Sequence, residues 1–302
     1  MKNSPGLRVW LTAIRPFSFT ASVTPVLIGA ALALSHPGEV YWFLLPMAVI
    51  CSLLLHAATN LVSEYFDFKK GVDRPHTYGS SKVLVQELLT AREVLAGGLA
   101  LFAAGFVLGL TMVYFRGAPV LWLGIVGILG GFFYTGRPVG YKYIALGDLL
   151  VFALMGPLMV LGSYYVLTGS YSPSVVLVSL PVGFLVAAIL HANNLRDIVH
   201  DREANVRTLA NLLGLKAAKV EYFLLVGGAY LAVVMMVLTG TVGWWTLLVF
   251  LSVPPAIKNM RSIHHAHLNN VSAIALIDVQ TAQHHFLFGA LMMTGMAISV
   301  LF

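Results

Sequence analysis

Charge is scarce in this chain. Asp, Glu, Lys and Arg make up only 10% of its 302 residues, whereas 59% are hydrophobic. This composition is too apolar for an ordinary water-soluble domain, so lipid is the expected folding medium. Cysteine is nearly missing too, and the single residue, Cys51, excludes an internal disulfide. The chain is therefore predicted to be an integral membrane protein.

Apolar runs divide the chain at regular intervals. Each approaches the roughly 17–25 residues that cross a bilayer as a helix, and the runs cover residues 16–35, 42–66, 93–115, 119–135, 147–167, 173–195, 219–239, 243–257 and 282–302. We therefore predict an all-α polytopic membrane protein of about nine transmembrane helices. Pro254 and Pro255 are expected to break or end the eighth span.

A weak internal similarity suggests a duplication. HAATNLVSEYFD at 56–67 and HANNLRDIVHD at 191–201 align with one gap, and they end the second and sixth spans. We therefore expect a single transmembrane domain over residues 1–302, with two pseudo-repeats of four helices plus a final helix as a hypothesis.

Basic residues fall on one side of the predicted membrane. If the amino terminus is cytoplasmic, every Lys and Arg except Arg116 lies in a cytoplasmic segment, as the positive-inside rule expects. We predict a prokaryotic plasma-membrane protein with its amino terminus inside and its carboxyl terminus outside. Anionic lipid headgroups account for the net charge of +6, so no nucleic-acid partner is needed.

Two groups of acidic and amide side chains stand at the cytoplasmic ends of the second and sixth spans. Carboxylates beside bilayer-length apolar runs are costly unless cations satisfy them. Sets made only of oxygen ligands suit Mg²⁺ together with phosphate oxygens, and suit zinc poorly. We expect the groups to face one another and to bind metal through Asn60, Glu64, Asp67, Asp73, Asn193, Asn194, Asp197 and Asp201.

Two other interpretations of these acids remain open. They would be structural if they only formed salt bridges with nearby lysines and arginines at the membrane surface. A secondary transporter would also place ionisable groups in the membrane, but usually near mid-bilayer and often on interrupted helices. The acids here gather at one membrane face, which favours an enzyme.

Longer motifs carry a family resemblance over nearly the whole chain. RPFSFTASVTPVLIGAAL, NLVSEYFDFKKGVD, YTGRPVGYKYIALGD and NNLRDIVHDREANVRTLANLLG resemble the UbiA superfamily of intramembrane aromatic prenyltransferases. Within it they look most like the 1,4-dihydroxy-2-naphthoate polyprenyltransferases of menaquinone biosynthesis. Ser63 and Glu64 stand where Asn and Asp are usual. The resemblance implies a UbiA-like helical bundle around a central cavity open to lipid.

The resemblance also implies an activity. A polyprenyl group would pass from polyprenyl diphosphate to 1,4-dihydroxy-2-naphthoate, giving demethylmenaquinol with loss of CO2 and release of diphosphate. A sibling enzyme for 4-hydroxybenzoate, homogentisate or another lipid acceptor stays open, because the motifs report the shared diphosphate. Two Mg²⁺ ions would bridge that diphosphate, and the catalytic acids would be Asp67, Asp73, Asp197 and Asp201.

Further side chains near the motifs are candidate substrate contacts. Cations would stabilise the departing diphosphate, and aromatic faces would stabilise an allylic cation. These candidates are Arg15, Lys69, Lys82, Tyr134, Arg137, Tyr141, Lys142, Arg196 and Arg207. Asp73 or Asp148 would serve as a base near the acceptor hydroxyl, whereas His56 and His191 are expected to form hydrogen bonds between helices.

Overall fold

The fold of the protein, a computed structural model that describes residues 6–301, is built from helices. Within that range the only β pairing is a single bridge between Ile144 and Arg207. The α-helices, in chain order, are α1 (Leu7–Ile14), α2 (Thr20–Ala33), α3 (Leu44–Lys70), α4 (Ala91–Arg116), α5 (Ala118–Phe133), α6 (Gly147–Ala153), α7 (Met159–Thr168), α8 (Pro173–Arg196), α9 (Ile198–Glu203), α10 (Leu209–Leu238), α11 (Val253–His265) and α12 (Ile277–Leu301).

Seven helical segments between residues 6 and 301 are long and apolar enough to cross a membrane. They are Pro16–Ala33, Leu44–Lys70, Ala91–Arg116, Gly147–Thr168, Pro173–Arg196, Leu209–Leu238 and Ile277–Leu301. The fourth predicted span corresponds to the shorter apolar helix α5. The prediction of an all-α membrane protein is therefore confirmed, and about nine remains an approximate count of crossings. The pseudo-repeat organisation stays a prediction.

The eighth predicted span is the least regular. A 3-10 helix covers Trp244–Ser252, and α11 follows it directly. Pro254 and Pro255 lie in the first turn of α11 rather than at the end of a helix. Proline fits there because the first amide groups of a helix have no intrahelical acceptor to lose. The proline pair therefore starts α11 and interrupts the eighth predicted span, in agreement with the expectation that it breaks that span.

Helix α8 is the most buried of the long apolar segments. It packs against α10 on one side and against α6, α7 and α12 on others. Close approach is possible where the π-helical turn Leu154–Leu158 crosses it. A Cβ atom on Gly156 would lie 2.6 Å from the Cα atom of Gly183. Small residues of this kind let membrane helices pack backbone to backbone.

The two acidic segments lie at the ends of α3 and α8. Gly71 ends α3 in the left-handed region, with φ 74°, and its amide bonds back to Asp67 and Phe68 carbonyls. Only glycine adopts this conformation without steric cost, so the chain reverses there and returns Asp73 toward the helix. At α8 the chain turns at Asp197 into the short helix α9, which carries Asp201.

Candidate active site

A cavity of about 390 Å³ opens between the helices, within the size range of small-molecule sites. Helices α2 to α8 supply its walls. Its mouth is polar and includes both acidic segments, whereas its interior is apolar and rich in glycine. The mouth residues that face it include Arg15, Asn60, Ser63, Asp67, Asp73, Tyr134, Tyr141, Lys142, Asn193, Asp197, Asp201 and Asp278.

Asp67 is the best-connected acid of the first segment. Its Oδ2 accepts from Lys142 Nζ at 2.7 Å and from Ser63 Oγ at 3.1 Å, while Oδ1 accepts from the Tyr143 hydroxyl at 2.9 Å. Burial lowers the pKa of Lys142, but the Asp67 carboxylate outweighs it and holds that pKa well above its usual value. Lys142 is therefore a permanent cation at the mouth.

The other acids of the first segment have carboxylate oxygens without hydrogen-bond partners. Glu64 accepts from the Ser81 amide at 3.1 Å, but its Oε1 is buried without a hydrogen-bond partner. Asp73 Oδ2 is buried and unpartnered as well. Burial, followed by repulsion from Asp67 and Glu64, raises the pKa of Asp73 to about 7. Buried, crowded carboxylates with free oxygens form a site that favours a cation.

Asp197 of the second acidic segment is paired with a buried arginine. Arg196 is almost fully buried, and its Nη2 lies 2.7 Å from Asp197 Oδ2 while its Nη1 lies 2.6 Å from Asp278 Oδ2. Asn193, with its amide oriented by its neighbours, donates to Asp197 at 3.2 Å. Burial raises the pKa of Asp201 to about 7, although the attraction of Lys142 acts to lower it. Lys142 also pairs with Asp67, so the charges of the two acidic segments interact.

The two adjacent asparagines point to different places. Asn193 lines the cavity, whereas Asn194 does not and instead donates to Asp148 Oδ2 at 3.2 Å. Asp148 is also 3.2 Å from His191 Nδ1, and His191 Nε2 bonds to the Ala218 carbonyl at 2.8 Å. Asp148 and Asn194 therefore belong to a buried contact between helices, and of the two predicted bases only Asp73 lines the cavity.

The oxygen donors at the mouth fit magnesium. All are carboxylate or amide oxygens, and two of the carboxylates have buried oxygens without a partner. The oxygen donors that line the cavity are Asn60, Asp67, Asp73, Asn193, Asp197 and Asp201, whereas the predicted ligands Glu64 and Asn194 do not line it. Mg²⁺ prefers one or two such carboxylates together with phosphate oxygens and water.

The predicted substrate contacts divide into two sets. Arg15, Tyr134, Tyr141 and Lys142 line the cavity. Lys82 instead holds the loop after α3, because its ammonium lies 2.5 Å from the carbonyls of Arg74 and Thr77. Arg196 lies behind the acids. Three of the predicted contacts are exposed and do not line the cavity: Lys69, Arg137 and Arg207.

Sequence reasoning gave no role to several mouth residues. Tyr143 is not among the predicted site residues, yet its hydroxyl donates to Asp67 Oδ1 at 2.9 Å. Asp278 lies 82 residues from Arg196 in sequence, and its only signal was an isolated acid at the start of an apolar run. Ser18 and Ser22 contact His56, which lines the cavity rather than serving only as a helix-to-helix link.

Comparison with known proteins agrees with this arrangement. Residues 22–275 match the UbiA prenyltransferase family. A 1,4-dihydroxy-2-naphthoate octaprenyltransferase of Bacillus subtilis is 34% identical over 301 residues, covering 99% of this chain and 94% of the relative. The human UbiA prenyltransferase domain-containing protein 1 is 32% identical over 293 residues, covering 96% of this chain and 83% of the relative.

Solved structures share the fold. A UbiA homolog from Aeropyrum pernix K1 superposes with a TM-score of 0.67 at 17% identity, covering 91% of this chain and 97% of that one. A UbiA homolog from Archaeoglobus fulgidus bound to GPP and Mg²⁺ gives 0.61 at 14% identity, covering 94% and 99%. The chain belongs to the UbiA prenyltransferase family and is an integral membrane prenyltransferase.

Proposed function

We propose that the protein transfers a polyprenyl group from polyprenyl diphosphate to 1,4-dihydroxy-2-naphthoate, with Mg²⁺ as its cofactor. The product would be demethylmenaquinol, and CO2 and diphosphate would be released. The relative from Bacillus subtilis, similar over almost the entire chain, supports this acceptor. The observation that carries the proposal is a cavity with carboxylates and fixed cations at its mouth and an apolar interior.

The diphosphate of the donor would bind at the mouth. Asp67, Asp73, Asp197 and Asp201, which all line the mouth of the cavity, would hold two magnesium ions. Bound magnesium would supply positive charge that neutralises the diphosphate oxygens as negative charge grows on them. Lys142, fixed by Asp67, adds a cation from the protein at the same place.

The reaction breaks the allylic carbon–oxygen bond, and its electron pair leaves with the diphosphate. Tyr134 and Tyr141 line the cavity together with Lys142, and their rings, which contact each other, would stabilise an allylic cation. The apolar wall excludes water, which would otherwise capture that cation. An electron-rich ring carbon of the acceptor then forms the new carbon–carbon bond, and loss of CO2 returns an electron pair to the ring.

The hydrocarbon tail would lie in the cavity interior between α4, α5 and α7. Four glycines there leave room, since an added Cβ on each would meet nothing within 4 Å: Gly109, Gly124, Gly127 and Gly162. An apolar, open channel of this kind suits a polyprenyl chain. We place the mouth at the cytoplasmic face of a prokaryotic plasma membrane, where the basic residues gather.

The test is prenyl transfer by purified protein in nanodiscs. Geranylgeranyl diphosphate would be offered with dihydroxynaphthoate, 4-hydroxybenzoate or homogentisate, in Mg²⁺ or in EDTA. We expect product with dihydroxynaphthoate alone, none in EDTA, and product formation slower by about a hundredfold or more in Asp67→Asn. Glu39→Gln, an exposed acid outside the cavity, is the control that keeps full activity.

Other outcomes would change the proposal in defined ways. Product with another acceptor alone would keep the mechanism and replace the acceptor. Absence of product and of diphosphate release with every acceptor would contradict prenyl transfer and favour transport instead.

A further inference from the structure

A buried cluster of three ionisable side chains lies outside the cavity, where α6, α8 and α10 meet. Asp148 is in the first turn of α6, His191 is on α8 and Glu221 is on α10. His191 is fully buried, and the side chains of Asp148 and Glu221 are 6% and 20% exposed. None of the three lines the cavity. Ionisable side chains in membrane-spanning helices are costly, so each of them needs a partner.

The hydrogen bond of one ring nitrogen of His191 fixes the role of the other. A carbonyl only accepts, so Nε2 carries a proton and donates to the Ala218 carbonyl at 2.8 Å. In the neutral ring the other nitrogen, Nδ1, then presents a lone pair. Nδ1 lies 3.2 Å from Asp148 Oδ1 and 3.5 Å from Glu221 Oε2. Three electron-rich atoms therefore converge, and a positive charge is needed between them.

A proton on Nδ1 would satisfy only part of this cluster. It would serve Asp148, the nearer acceptor, and Glu221 Oε2 is buried without a hydrogen-bond partner among the residues that the structure describes. Within the same residues, no lysine or arginine forms an ion pair with Asp148 or Glu221. An imidazolium would leave the cluster with a net negative charge, whereas a divalent cation would neutralise both buried carboxylates.

The spacing of the three ligand atoms fits a tetrahedral metal ion. Ligand atoms bonded to zinc at about 2.0–2.1 Å lie about 3.3 Å apart in a tetrahedron. The separations of 3.2 Å and 3.5 Å from Nδ1 are close to that value, and all three atoms lie within 4.8 Å of one another. An imidazole nitrogen with two carboxylate oxygens suits zinc, whereas magnesium prefers oxygen ligands alone. The partial exposure of Glu221 leaves an entry path for the ion.

Hydrogen bonds from outside the cluster orient two of the ligands. The Ala218 carbonyl holds the His191 ring through Nε2, as the outer partners of metal-bound histidines do. Asn194 donates more closely to Asp148 Oδ2, at 3.2 Å, than to Oδ1, at 3.5 Å. Oδ1 therefore keeps a lone pair for an ion on the side of His191. Both ligands are positioned by the protein itself.

We propose that Asp148, His191 and Glu221 form a zinc site, separate from the magnesium-binding mouth, that ties α6, α8 and α10 together. An ion shared by three helices would fix how α8 is rotated against α6 and α10. That rotation decides that Asn193 lines the cavity and that Asn194 does not. The site is structural, and its zinc takes no part in prenyl transfer.

Zinc binding by the full chain tests the proposal without any measure of turnover. Untagged protein in detergent would be treated with EDTA, dialysed, supplied with excess Mg²⁺ to fill the mouth, and titrated with Zn²⁺ against a chromogenic chelator. We expect about one zinc ion per chain, bound with an affinity that Glu221→Gln lowers by about tenfold or more. Zinc should also raise the unfolding temperature of wild type, and raise that of Glu221→Gln less.

Two further measurements make the test specific. Glu203→Gln is the matched control, because His76, His200 and Glu203 form another group of metal-ligating side chains among the described residues, and it is more exposed. This variant should bind zinc as wild type does. X-ray absorption of the wild-type zinc protein needs no variant, so it also covers a failure of Glu221→Gln to fold. We expect oxygen and nitrogen neighbours at about 2.0–2.1 Å, with the outer scattering of a single imidazole.

Each outcome has a distinct meaning. A zinc spectrum without imidazole would place the ion among the oxygens of the mouth, and two imidazoles or a loss in Glu203→Gln would place it at His76 and His200; each would overturn the proposal. Wild type that binds no zinc would show that a proton on His191 holds the cluster, which would overturn it as well. Zinc bound through one imidazole in a protein without prenyl transfer would contradict only the proposed function.

Discussion

The mouth and the interior of the cavity differ in the kind of contact that their residues make. At the mouth, buried charges are joined by short contacts, such as Lys142 to Asp67 at 2.7 Å and Arg196 to Asp278 at 2.6 Å. In the interior, glycines leave space and apolar side chains make no directional contact. In the proposed function, directional contacts would fix where the diphosphate reacts, whereas the open apolar space would accommodate a chain. Mutations at the mouth should therefore affect every donor, and mutations in the interior should depend on donor length.

The largest effect, on stability, is expected for the buried ion pairs of Arg196 behind the mouth of the cavity. Arg196→Met would leave Asp197 and Asp278 buried without their cation, which typically costs about 3–5 kcal/mol. We expect a lower unfolding temperature in detergent for this variant. Lys258→Met, an exposed cation on α11, should leave it unchanged. An unaltered unfolding temperature for Arg196→Met would show that the buried pairs do not stabilise the mouth.

The next effect concerns chemistry at the mouth. Asp67→Asn removes the charge that holds Lys142 and one carboxylate of the metal site. Loss of such preorganised electrostatics typically lowers kcat by about 10²–10³-fold. We expect the same loss with geranyl and with octaprenyl diphosphate. A loss confined to long donors would contradict the division between mouth and interior.

The interior should discriminate between donors. Gly127→Phe would fill open space in α5, so octaprenyl diphosphate should lose about tenfold or more in kcat/KM relative to geranyl diphosphate. Gly227→Phe is the matched control, because Gly227 on α10 also has open space but lies outside the cavity. Equal losses for both donors in Gly127→Phe would place the tail elsewhere.

The smallest effect is a pH dependence of the metal-free protein. Burial raises the pKa of Asp73 and of Asp201 to about 7, well above the ordinary value near 3.8. A folded-state pKa above the unfolded value stabilises the protein at low pH, and this stabilisation is lost as pH rises through about 7. In EDTA, the unfolding temperature should therefore fall as pH rises from about 4 to about 7, and it should change little above about 7. Asp73→Asn should reduce this fall, whereas a rise with pH would contradict the burial of these acids.

Local patterns predicted much of the fold and part of the site. The spacing of Asn60, Glu64 and Asp67 placed them on one helix, and α3 contains all three. Spacing did not distinguish Asn193 from Asn194, because the choice depends on how α8 is rotated against α6. The sequence predicts Arg196 as a substrate contact, but the residue is buried against Asp197 and Asp278 and does not line the cavity, and Asp278 is distant in sequence. Contacts between remote helices follow from packing, which no local pattern reports.

One measurement tests the central claim most directly. Purified protein would be given Mg²⁺, a polyprenyl diphosphate and dihydroxynaphthoate labelled at its carboxyl carbon, and the labelled CO2, diphosphate and prenylated product would be counted together. The account predicts equal amounts of all three, each formed more slowly by about a hundredfold or more in Asp67→Asn. Prenylated product that retains the label, or labelled CO2 without diphosphate, would contradict it.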